Sequence, residues 1–148
     1  MPQSLANILV HLVTSTKDRA PTLTGPLRAE LFPYTAGVLR NLDSQLLQIG
    51  GVEDHIHILF RLPRTLALAT IVEKLKANTS RWIKVKGPGN FAWQAGYGAF
   101  SVSHADADAV TRYIQNQPQH HEKTSFQEEL RKLLADAGMA YDEQHLWD

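Results

Sequence analysis

The sequence predicts an α+β domain of the ferredoxin-like, split βαβ kind: a four-stranded antiparallel sheet with helices on one face. Three observations predict it. Apolar, β-branched stretches and helical stretches follow one another in the order βαββαβ, with two further helices after them. The middle two strands are separated by a short glycine- and acid-rich connection that suits a hairpin, and so antiparallel pairing. The chain's 148 residues, 43% hydrophobic and 20% charged, match one ordinary globular domain spanning 1–148.

Each element has its own signal. Ile8 to Thr14 is apolar and β-branched and reads as the first strand. Pro21 and Gly25-Pro26 punctuate the chain. Leu27, Leu31, Tyr34, Val38 and Leu42 then recur at helical spacing, predicting a helix from about Pro26 to Asn41. Gln45 to Val52 and His55 to Leu62 read as the second and third strands, joined through Glu53 and Asp54. Leu68, Ile71, Val72, Leu75 and Ile83 predict a helix over 66–85, which Gly87-Pro88-Gly89-Asn90 stops. An aromatic loop with Phe91, Trp93 and Tyr97 leads to a fourth strand over Ala99 to Ser103. Ser103 with Asp106 resembles a capping box opening the third helix, which Pro118 ends or kinks. Ser125 with Glu128 opens the fourth, which stops at Gly138.

Composition narrows the function. No apolar run approaches the roughly 18 residues of a membrane span. The amino-terminal residues lack the pattern of a signal peptide, so a cytoplasmic location is expected. Without cysteine there is neither a disulfide nor a thiolate metal site. No phosphate-binding glycine loop, dinucleotide fingerprint, serine elbow or zinc-finger spacing occurs, so no nucleotide cofactor is expected. Fifteen basic and fifteen acidic residues cancel, but they are not evenly spread. Arg61, Arg64, Lys74, Lys76, Arg81, Lys84 and Lys86 face a single acid, Glu73, within one stretch. Such a stretch either contacts phosphates or forms a solvated helix face. The aromatic loop, with Trp93 at its centre, either stacks on unpaired bases or plugs the edge of the core.

Four groups of residues could carry chemistry. In His55-Ile56-His57, strand alternation turns both imidazoles to one face and Ile56 to the other, a geometry that suits one divalent cation given a third ligand. Otherwise they form a polar pair on an exposed face. Tyr113 and Gln117 are four residues apart and would share a helix face. The tyrosine oxygen could attack phosphorus if a metal or base assisted it, and the amide oxygen is a hard ligand. Alternatively Tyr113 packs beside Val110 and Ile114. His120 and His121 are either auxiliary ligands or proton carriers, or a surface pair capping the next helix. His11 and His104 read as hydrogen-bonded structural residues.

Taken together, the segments resemble one family. Gly50-Gly51-Val52-Glu53-Asp54-His55-Ile56-His57-Ile58-Leu59 is similar to the HUH segment (His, hydrophobic, His) of IS200-like single-tyrosine transposases from the smallest bacterial and archaeal insertion sequences. Lys74-Leu75-Lys76 with Ser80-Arg81-Trp82-Ile83 resembles their second helix. Phe91-Ala92-Trp93-Gln94 with Gly96 to Ser103 resembles their aromatic segment. Tyr113-Ile114-Gln115-Asn116-Gln117 with His120-His121 resembles their nucleophile helix. The likeness runs from about His11 to Trp147.

The resemblance implies an HUH domain that cuts and rejoins single-stranded DNA. Tyr113 would form a 5′-phosphotyrosine link, and His55, His57 and Gln117 would hold Mg²⁺ or Mn²⁺. It also implies a homodimer whose tyrosine helix can complete the partner's site, acting on DNA with subterminal hairpins. Arg61, Arg64, Lys74, Lys76, Arg81, Lys84 and Trp93 are candidate DNA contacts. Two other readings compete: a non-catalytic hairpin-binding protein of the same fold, and a replication initiator or relaxase with the same chemistry.

Overall fold

The structure, a computed structural model, describes residues 2–148. Its elements are β1 (Leu9–Ser15), α1 (Gly25–Asn41), β2 (Gln45–Gly51), β3 (His55–Arg61), α2 (Leu68–Lys86), β4 (Gly98–Val102), α3 (Ala107–Gln115), α4 (Gln117–His120) and α5 (Phe126–Asp136). The four strands form one sheet in the order β2-β3-β1-β4, with every neighbouring pair antiparallel. This is the expected α+β architecture, with bounds within about two residues of the sequence reading except at the third helix, which spans only Ala107–Gln115 and is followed by the separate short α4.

Helices cover both faces of the sheet rather than one. Even-numbered residues of β1 and β3 (Val10, Leu12, Ile56, Ile58, Phe60) meet Leu31 and Leu39 of α1 and Ile71, Leu75 and Ile83 of α2 in the main core. The odd-numbered residues form a second layer. There Leu9 and Leu59 pack on Ile114 of α3, and Val13 packs on Phe126, Leu130 and Leu134 of α5. The period of two along a strand assigns the two sets to opposite faces. Both sets carry large apolar residues, so both faces had to be covered; each buried Leu, Ile or Phe contributes about 1.5–3 kcal/mol.

Local chemistry sets the ends. Thr24 opens α1 by accepting the Leu27 N–H at 3.3 Å, ahead of Pro26 in the first turn. The β2–β3 hairpin closes with Val52 N–H donating to His55 O at 3.1 Å, and a bulge at Leu46/Gln48 shifts the register. Ser103 does not cap α3: its hydroxyl bonds the Asp106 carboxylate at 3.0 Å, and a 3-10 turn over His104–Asp106 precedes the helix. Asn116 ends α3, and Pro118 lies in the first turn of α4, where its missing N–H costs nothing. Ser125 caps α5 as expected, accepting Glu128 N–H at 3.2 Å, and Gly138 ends it at φ +67°.

The aromatic loop is a plug. Trp93 is buried in the main core, and its indole N–H donates to Thr79 Oγ1 at 3.0 Å, so it offers no face to a base. Lys76 holds the same loop. Its ammonium donates to the carbonyls of Gln94 (2.8 Å), Ala95 (3.2 Å) and Gly96 (2.6 Å), which uses all three of its donors. Neither residue is presented for DNA contact.

Gly37 offers a test of helix energetics. It lies inside α1 with nothing within 4 Å of an added Cβ. Gly37→Ala is expected to raise stability by about 0.5–1 kcal/mol by removing backbone freedom from the unfolded chain. Denaturant unfolding with an unchanged slope would read it directly.

Candidate active site

The second layer holds the candidate site, between β1, β3 and the three carboxy-terminal helices. Because β3 alternates, His55 and His57 both face this layer, each fully buried, and Ile56 faces the other core. His11 lies diagonally across from His57 on β1, and its Nε2 is 2.8 Å from His57 Nδ1. Close packing at Gly50 brings α3 onto the sheet edge, since an added Cβ there would fall under 3.0 Å from the Ile114 carbonyl oxygen. Tyr113 is thereby set over the histidines, its ring 5.7 Å from His57 and 6.1 Å from His11, both edge-on.

The hub is Glu129 on α5, which is 2% exposed. Its Oε1 lies 2.9 Å from His57 Nε2, 3.1 Å from His55 Nε2 and 3.1 Å from His121 Nε2. Its Oε2 accepts the Tyr113 hydroxyl and, at 2.9 Å, the Gln117 amide N–H. The ligand atoms of His55, His57, His121 and Glu129 all lie within 4.8 Å of one another, so the cluster could hold one divalent metal ion. Its chemistry fits, since imidazole and carboxylate are ordinary ligands for such ions. Three further groups orient the rings: Asp54 Oδ1 at 2.7 Å from His55 Nδ1, Thr124 O at 2.6 Å from His121 Nδ1, and His11 on His57.

Electrostatics follow from this packing. Burial pushes His11 down to about 3, so it stays a neutral partner. Burial also lowers His57, whereas Asp54 and Glu129 outweigh burial at His55 and raise it. Burial alone would raise Glu129, but hydrogen bonds from His121, His55 and His57 hold it far below the usual carboxylate range. Burial and then the Glu129 carboxylate raise Tyr113 well above an ordinary phenol. Tyr113 is therefore a protonated phenol with a charged acceptor already on its proton.

Of the residues singled out in the sequence, His55, His57, Tyr113, Gln117 and His121 come together. His120 is half-buried, with Nε2 3.4 Å from Glu129 Oε2. His121 is no surface cap; it sits inside the cluster, and His11 belongs with it. His104, read as a hydrogen-bonded structural residue, is exposed in the 3-10 turn before α3. The basic residues do not converge here. Lys74, Arg81 and Lys84 are exposed on α2, which packs on the opposite face of the sheet, and Lys86 also lies there. Arg64 is exposed before α2, and Arg61 bonds Asn7 and Gln45.

Two clefts flank the cluster. One, of about 970 Å³, is lined by His11, Val110, Tyr113, His120, Glu129 and Leu133. The other, of about 380 Å³, brings Arg19 and Arg28 beside Asp54 and His121.

Sequence reasoning missed Glu129, the hub of the cluster. For Glu129 a signal existed: Phe126, Leu130 and Leu134 form the apolar stripe of α5, and Glu129 sits at helical spacing among them. A carboxylate on an apolar stripe needs a buried partner.

The family model for IS200-like transposases matches residues 4–117. No curated protein matches the chain. Among solved structures, a transposase candidate from Deinococcus radiodurans R1 is 20% identical, covering 79% of this chain and 98% of its own at a TM-score of 0.64. A REP-associated tyrosine transposase bound to a REP hairpin is 15% identical, covering 96% of this chain and 91% of its own at a TM-score of 0.62. These structures share the fold, and the family model reaches over the His pair, Tyr113 and Gln117. On that match the chain belongs to the IS200-like transposase family.

Proposed function

We propose that this chain cleaves and rejoins single-stranded DNA at the ends of an insertion sequence through a covalent 5′-phosphotyrosine at Tyr113. The observation that carries the reading is the Tyr113 hydroxyl held on Glu129, above the two imidazoles and beside an open cleft. Tyr113 Oη attacks the scissile phosphorus, a Tyr–O–P bond forms, the P–O3′ bond breaks and the strand leaves as a 3′-hydroxyl. Glu129 Oε2 is the acceptor that the phenol proton already faces. His55, His57 and Gln117 would hold Mg²⁺ or Mn²⁺, whose contribution is polarisation of the scissile phosphate. The ester keeps the bond energy, so another 3′-hydroxyl can attack it and rejoin strands without a nucleotide cofactor.

DNA with subterminal hairpins is the proposed partner. This is supported by the family and by the hairpin that the REP-associated relative holds. Arg19 and Arg28 lie beside the cluster and are better placed for phosphates near the cut than the exposed residues of α2. The proposed setting is the cytoplasm; none of the described helices is long and apolar enough to cross a membrane.

The test incubates single-stranded DNA carrying the element's end with protein and Mg²⁺ or Mn²⁺. The expected product is a covalent adduct on a denaturing gel, mapping to residue 113. Cleavage without an adduct would mean a hydrolytic nuclease, and binding without cleavage a hairpin-binding protein.

Assembly has its own test. A homodimer is proposed; Tyr113 stands over the histidines of its own chain, which supports a site completed in cis. Mixing His57→Ala with Tyr113→Phe protein is therefore expected to restore no cleavage. Recovery of activity in the mixture would show that the tyrosine helix is exchanged between subunits.

A further inference from the structure

The ring nitrogens and side-chain oxygens of the cluster converge on one place, within 4.8 Å of one another for His55, His57, His121 and Glu129. A carbonyl only accepts, so His121 Nδ1, 2.6 Å from Thr124 O, carries that ring's hydrogen. His55 Nδ1 faces the Asp54 carboxylate at 2.7 Å in the same way. Both rings therefore turn Nε2, the atom that would bind a metal, inward, and those two atoms are 3.0 Å apart. Gln117 spends its N–H on Glu129 Oε2, so its amide oxygen faces them too, 2.8 Å from His121 Nε2 and 3.3 Å from His55 Nε2. Glu129 Oε1 completes the convergence at 2.9–3.1 Å from three Nε2 atoms. Ligand atoms converging at these spacings suit a cation. Ligand atoms around a metal with bonds of about 2.0–2.2 Å stand roughly 3 Å apart along the edges of its coordination shell.

We infer that His121 and Glu129 complete the metal centre with His55 and His57, and that it takes a first-row transition cation (Mn²⁺, Co²⁺ or Zn²⁺) in preference to Mg²⁺. This rests on the proposed reading that His55 and His57 hold a divalent ion. Mg²⁺ sheds water reluctantly and favours oxygen ligands, whereas three imidazoles and one carboxylate suit the transition ions. Both added ligands lie beyond residues 4–117, so the donor set is richer than the part of the chain that the family match covers. Glu129 then ties the centre to the nucleophile, because its other oxygen holds the Tyr113 hydroxyl.

The experiment titrates full-length, chelator-stripped protein with Co²⁺, read by its visible ligand-field absorption, and with Mg²⁺ by calorimetry and as a competitor. One Co²⁺ per chain is expected, at least about 100-fold tighter than Mg²⁺. His121→Ala and Glu129→Gln should each weaken Co²⁺ by at least about tenfold, the scale set by losing even a group that orients a ligand. Equal affinity for Mg²⁺ and Co²⁺, or wild-type Co²⁺ binding by folded His121→Ala protein, would overturn the inference. Should Glu129→Gln not fold, as judged by circular dichroism, the wild-type titration and His121→Ala decide the question. Adduct formation is read separately. An adduct at Tyr113 with no preference for Co²⁺ over Mg²⁺ sinks the inference and leaves the DNA reading standing. Tight Co²⁺ binding with no adduct does the reverse.

Discussion

Tyr113→Phe is expected to abolish the covalent DNA adduct while leaving a folded protein that still binds DNA. The substitution removes one oxygen, and no other group in the cluster can both attack phosphorus and remain as a phosphate ester of the same kind. The structural cost is bounded. Tyr113 is only partly buried, and its hydroxyl makes one hydrogen bond to a charged acceptor, worth about 1.5–3 kcal/mol. Glu129 keeps Gln117 and the imidazoles as partners, so its carboxylate is not stranded. A gel shift under denaturing conditions, beside a thermal melt of the same preparation, separates loss of chemistry from loss of fold. An adduct persisting in the variant, or mapping to Tyr34, Tyr97 or Tyr141 in the wild type, would remove Tyr113 from its assigned role.

Gly50→Ala is expected to damage both fold and chemistry, though the residue touches no substrate. The added Cβ would fall under 3.0 Å from the Ile114 backbone oxygen and also crowd the Ile114 side chain. A backbone atom cannot rotate away as a side chain can, so α3 must lift from β2 or the strand must bend. Overpacking of this kind costs about 1–3 kcal/mol. Tyr113 is next to Ile114, and Gln117 follows three residues on, so the lift carries both away from Glu129. A displacement of about 1 Å at a reacting group can cost about 100-fold in rate. Adduct formation should therefore fall by about that factor in protein that still melts cooperatively. Gly37→Ala, where the space is open, is the control: the same chemical change should stabilise. Wild-type adduct yield from Gly50→Ala would mean that α3 is not positioned by this contact.

The sequence by itself determined the element order, the strand alternation that places His55 and His57 together, and the caps at Ser125 and Gly138. These are short-range matters, decided by period, turn chemistry and capping within a few residues. It also singled out Tyr113 and Gln117, through motifs that lie close together in the chain. Only the tertiary structure decided the rest. Helices on both faces follow from long-range packing of large apolar residues on each side of the strands. Trp93 and Lys76 went to the core edge because a loop must satisfy its carbonyls and bury its indole somewhere, and the neighbouring α2 offers both. The α2 cations face away from the cluster because their helix packs on the opposite sheet face. Glu129 is 72 residues from His57 in sequence, yet 2.9 Å from it in space. A carboxylate at that separation is a surface charge to any local pattern, and it becomes the hub only when α5 docks its apolar stripe against β1 and draws the charge in with it.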